Sequence, residues 1–121
     1  MRAFEVAVAG VAALLIAKLH KIAERKESVE RRQDKDGLDV LRLLRFADTH
    51  NLAKTLANLG QHPIAGKVTQ EARTFLEELF ADRAAVGAQM AVRASVGLED
   101  AVAIALSCET LARRLLGAWT P

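Results

Sequence analysis

From Val11 onward, apolar side chains recur at helical spacing, and this periodicity constrains the fold more than any other feature. Val11, Leu15, Leu19 and Ile22 follow i, i+4, i+8, i+11 and fall on one face of a helix. The composition agrees. Ala and Leu dominate, aromatic residues make up 4% and Tyr is missing, whereas strands recruit β-branched and aromatic side chains. The expected class is therefore all-α: one domain spanning 1–121, with about five to six helices.

The expected helices cover about residues 10–28, 36–47, 49–59, 67–82 and 98–117, with a weaker helical stretch at 83–95. Gly60 reads as a C-cap, Gly97 as a break, and 28–35 as a polar linker. Inward positions are Val40, Leu43, Leu44 and Ala47, then Phe75, Leu76, Leu79 and Phe80. In the last helix they are Ala101, Ile104, Ala105, Cys108, Leu111, Ala112 and Leu115. Phe4-Glu5-Val6-Ala7-Val8 alternates and reads as a short strand at 4–8. It has no partner in this chain, so it suggests the edge of a sheet supplied from elsewhere.

Charge narrows the function classes. The net charge is +2, too mild for a dedicated nucleic-acid domain, but Lys and Arg outnumber Asp and Glu between Lys18 and Arg45. The apolar run from Val6 to Ala17 is shorter than the ~20 residues that span a bilayer. A single cysteine, Cys108, allows no internal disulfide and suits a reducing cytoplasm; flanking leucines make it a buried, inert thiol.

Two clusters could carry chemistry. Lys18, Lys21 and Arg25 form a narrow basic stripe beside the apolar face of the first helix. The simpler reading is that their stems cover apolar surface while their heads stay wet. The functional reading is a phosphate clamp, Lys as a point charge and Arg as a two-pronged donor. Asp36 and Asp39 lie three apart and share a helix face. They read as N-cap and N3 residues favoured by the helix dipole, or as acids that orient a metal-bound nucleotide or grip a lysine from the first helix. Asp34-Lys35-Asp36 spells D-x-D but sits at a loop-to-helix junction. His20, His50, His62 and Cys108 lack zinc-ligand spacing, and Ser107-Cys108 has no partnered His and Asp nearby.

The run from Ala13 to Arg25 followed by Lys35-Asp36-Gly37-Leu38-Asp39 resembles the second half of AbiEii/AbiGii-type nucleotidyltransferases, toxins of abortive-infection and toxin–antitoxin systems. Their third motif is a helical Lys followed by Arg; their fourth is a basic residue, Asp, two residues, then Asp. The resemblance covers residues 6–45. It implies that Lys18 contacts nucleotide phosphates with Arg25 in support. Asp36 and Asp39 would lie at the active-site edge, one of them acting in catalysis together with Lys18, and Lys21 would contribute only its charge. A complete family member is expected to use Mg2+ and a nucleoside triphosphate, with tRNA as a possible substrate and an antitoxin as a possible partner. The family's Gly-Ser turn and metal-holding strand acids have no counterpart in these 121 residues. The expectation is a chain that holds no cofactor itself and is inactive without a catalytic half. The alternative is a non-enzymatic helical module for protein interaction or homo-oligomerisation.

Overall fold

The computed structural model describes residues 3–26, 28 and 33–120. Among them it contains six helices and no strand: α1 (Ala3–Arg25), α2 (Asp34–Phe46), α3 (Thr49–Gly60), α4 (Gly66–Phe80), α5 (Val86–Ala94) and α6 (Ala101–Ala118). The strand expected at 4–8 is corrected, because that backbone is the first part of α1. Five alternating residues are a weak strand signal, and the alanines beyond them favour helix. A helix also pairs its own N–H and C=O groups, whereas a lone strand leaves them open. The sheet inferred from that strand loses its support as well. Part of the expected linker, residues 29–32, lies outside the described residues.

The inward stripes are largely those expected. Leu15, Leu19 and Ile22 of α1, Val40 and Leu44 of α2, and Leu76, Leu79 and Phe80 of α4 are buried in one continuous core, joined by Leu41, which is not among the expected inward positions, whereas the expected Val11, Leu43, Ala47 and Leu111 are only partly buried. Ile104, Cys108, Ala112 and Leu115 of α6 join them. Phe75 is only partly buried, its ring meeting His20 edge-on at 5.0 Å between centroids. Ala101 is exposed, because α6 begins there rather than at residue 98.

Loop chemistry sets the helix ends. Asp48 caps α3 by accepting from the Asn51 backbone N–H, and Asp100 caps α6 by accepting from that of Ala103. Gly97 has φ +83°, a left-handed turn that glycine enters without steric cost. Gly60 is not the expected cap; it ends α3 in ordinary helical form, and it is Gly66 at the start of α4 that allows the close approach of the two helices. A Cβ on Gly66 would lie 2.8 Å from the Gly60 carbonyl oxygen.

The joint between α2 and α5 matters most for the site. Gly37 packs directly on α5: a Cβ there would lie 2.7 Å from the Gly87 carbonyl oxygen and 2.7 Å from Met90 Cβ. Arg93 of α5 grips Asp34 at the start of α2 through two hydrogen bonds of 3.0 Å. This orients α2 so that its opposite side meets α1.

Candidate functional site

α1 supplies Lys18, Lys21 and Arg25; α2 supplies Asp36 and Asp39. α2 begins at Asp34, two residues earlier than expected. Gln33 takes the N-cap position without a side-chain cap bond, so the N-cap role expected for Asp36 is corrected. Asp36 sits in the first helical turn, where its charge favours the exposed N–H groups. That effect alone does not require burial, yet the Asp36 side chain is 4% exposed.

The lysines explain how a carboxylate tolerates that position. Lys18 Nζ donates to Asp36 Oδ1 at 3.0 Å and to Asp39 Oδ2 at 3.1 Å, and Lys21 Nζ donates to the Asp36 carboxylate at 3.2 Å. Helical spacing places Asp36 and Asp39 on one face, so a single ammonium bridges both. Burial works to raise the Asp36 carboxyl pKa, but hydrogen bonds from Lys18 and Lys21 outweigh it and hold the group below its usual 3.8. The bonds to Asp36 and then Asp39 raise Lys18 above its usual 10.5, against a smaller opposing effect of burial.

Of the five expected site residues, the structure brings four together. Arg25 lies on the last turn of α1, partly buried, and makes no side-chain hydrogen bond or ion pair to a described residue. The D-x-D acids diverge, since residues two apart on a helix face different ways: Asp34 pairs with Arg93 and Asp36 with the lysines. Among the described residues no three His, Cys, Asp or Glu side chains form a metal-holding group. Cys108 is buried, and burial pushes its thiol pKa up to about 11 despite the opposing charge of Arg45.

The structure adds residues that the sequence reading missed. A groove of about 310 Å³ opens beside the cluster, lined by Leu14 and Lys18 of α1 and by Asp39, Arg42, Leu43 and Phe46 of α2. Leu14 is 54% exposed and Phe46 76%. The available signal was the i, i+3, i+4, i+7 series from Asp39 to Phe46, which marks one stripe of α2. Arg42 touches Asp39 only at 3.9 Å, and its side chain is 61% exposed.

The chain matches no family model, no curated protein and no solved structure.

Proposed function

We propose that this chain is the helical portion of a nucleotidyltransferase-like protein of the AbiEii type. Lys18 contacts nucleotide phosphates, Lys21 and Arg25 add positive charge, and Asp36 and Asp39 border the site. The observation that carries this reading is the convergence of two separate sequence motifs: Lys18 lies 3.0 Å from Asp36 and 3.1 Å from Asp39, across 18 and 21 residues of chain. A buried carboxylate held by two ammonium groups is a costly joint between helices, and well-packed apolar residues often do as well or better. A functional demand on these side chains accounts for their presence there.

The acids do not fit a magnesium site. Three of their four oxygens already face ammonium groups at 3.0–3.2 Å, and Mg2+ needs open carboxylate oxygens in octahedral geometry. In this reading the metal-holding acids would come from a catalytic half outside these residues, and no chemical step is assigned to a metal here. In this reading tRNA is the nucleotide acceptor, an antitoxin or the catalytic half is the partner, and the site is cytoplasmic. No helix among the described residues is long and apolar enough to cross a membrane.

Incubating the chain with labelled nucleoside triphosphates, magnesium and a tRNA pool tests the catalytic side of the proposal; no label is transferred, and robust transfer would overturn the assignment to a partial site. Calorimetry tests the binding side. Inorganic triphosphate binds the chain and Lys18→Met weakens it; a titration without heat or shift for the unmodified chain refutes the phosphate role.

Exposed apolar side chains favour a second reading. Leu14 and Phe46 are each more than half exposed and line one groove, and exposed apolar patches mark interaction sites. In that reading the chain is a non-enzymatic helical module that binds a partner or a second copy. A mass that rises with concentration in light scattering supports it; a constant monomer mass opposes self-association.

A further inference from the structure

From Val6 to Ala17 the sequence has no polar side chain. The fold buries only one side of that stretch. Ala12 and Leu15 lie in the core and Val11 and Ile16 are half-buried, whereas Ala9, Gly10, Ala13, Leu14 and Ala17 are exposed. A solvent-facing helix carries polar residues on its outer side, and a helix that is apolar all round is a buried one. The outer face of α1 therefore has the composition of a covered surface. It continues onto α2 through the groove whose walls Leu14, Leu43 and Phe46 are apolar. Phe46 is the most exposed of the three. The rim of this groove carries one open group of each sign. The Arg42 guanidinium donates to no described residue, and Asp39 Oδ1 accepts from none; the two approach each other only to 3.9 Å. Lys18 is already bonded to Asp36 and Asp39.

We infer that a second copy of this chain covers the face, docked on α1 and α2 about a two-fold axis near Ala13. This rests on the second reading above, the non-enzymatic module, and gives it a surface and an occupant. A two-fold interface uses one patch twice, so each group on the patch must meet its complement elsewhere on the same patch. This patch supplies both members of each pair. Arg42 of one copy meets the open Asp39 oxygen of the other. Leu14 and Phe46 are large and exposed, and the short side chains of Ala13 and Ala17 leave room for them. Ala13 is the midpoint of the exposed stretch 9–17, so an antiparallel crossing of α1 there lays the whole stretch on its copy. A partner with a rim of one sign would set a like charge against either Arg42 or Asp39, which disfavours it.

Sedimentation equilibrium of the full chain over a range of concentrations tests this. The mass rises from that of one chain to that of two. Phe46→Ala raises the dissociation constant about tenfold or more, and Leu14→Ala raises it as well. Arg42→Glu also weakens the dimer, and added salt lessens that loss because rim charges are screened. Ala13→Cys gives a disulfide-linked dimer on mild oxidation, whereas Ala103→Cys, exposed on α6, does not; the native Cys108 is buried. The substituted side chains are exposed, so the variants fold, which circular dichroism verifies. A dimer that Phe46→Ala and Leu14→Ala leave intact overturns this face while self-association stands. A single-chain mass at every concentration overturns both. A dimer cross-linked by Ala103→Cys and not by Ala13→Cys overturns the two-fold axis near Ala13.

Discussion

Lys18 and Asp36 stand 18 residues apart in sequence, and their charged atoms lie 3.0 Å apart in the fold, with the Asp36 side chain only 4% exposed. This pair ties α1 to α2 across their shared face. Removing the carboxylate leaves two ammonium groups without their shared partner. Asp36→Asn is expected to destabilise the chain by about 3 kcal/mol, the lower end for a broken buried pair, because both lysines retain some water contact. Asp39→Asn should cost only about 1 kcal/mol, since Asp39 is more exposed and its one short bond is from Lys18. Urea unfolding followed by circular dichroism measures both. Equal losses would show that burial of Asp36 carries no special cost.

The same pair sets the pH response. Asp36 is held below its usual 3.8 in the folded chain, so its contribution is present above that value and is lost as pH falls through the lower folded value. Lys18 is raised above its usual 10.5, so its contribution is complete below 10.5 and is lost as pH rises through the higher folded value. The ion cluster therefore contributes a plateau between these limits. The stability difference between the native chain and Asp36→Asn should be flat from about pH 5 to 9 and shrink at lower pH. A difference that grows on acidification contradicts the assignment.

Glycine positions separate packing from propensity. A Cβ at Gly37 meets backbone and Met90 Cβ at 2.7–2.9 Å, so Gly37→Ala must push α5 away from α2. Its helix-propensity gain of about 1 kcal/mol is outweighed by overpacking, giving a net loss of about 2 kcal/mol. At Gly10 a Cβ meets nothing within 4 Å, and Gly10→Ala in α1 should stabilise by about 0.5–1 kcal/mol. Thermal unfolding of the two variants should therefore move in opposite directions.

Cys108 is expected to resist alkylation. Burial raises its thiol pKa to about 11, and its side chain lies in the core between α6 and its neighbours. Iodoacetamide at pH 8 should label the folded chain far more slowly than the chain in 6 M guanidinium, roughly in proportion to the small open population. Rapid labelling under native conditions would place the thiol at a mobile surface.

Helical class was legible because it depends on spacing within short stretches. The stripes through Leu15–Ile22, Val40–Leu44 and Leu76–Phe80 each needed only local periodicity to be read, and each is buried. The strand at 4–8 was misread for the same local reason: five residues cannot separate a two-residue period from an alanine-rich helix start. α2 starts two residues before the expected Asp36, at an N-cap, Gln33, that makes no side-chain cap bond, so no local capping signal marks it; Asp34 pairs instead with Arg93, 59 positions away.

The sequence by itself determined the all-helical class, most of the buried stripes and the shared face of Asp36 and Asp39, since these follow from 3.6-residue periodicity along one segment. Only the tertiary structure decided that Lys18 bridges those two acids, that Gly37 is a packing contact on Gly87, and that Phe46 and Arg42 share a groove with Leu14. Those relationships depend on how α2 is turned between α1 and α5, and that rotation is set by long-range contacts that no local pattern encodes.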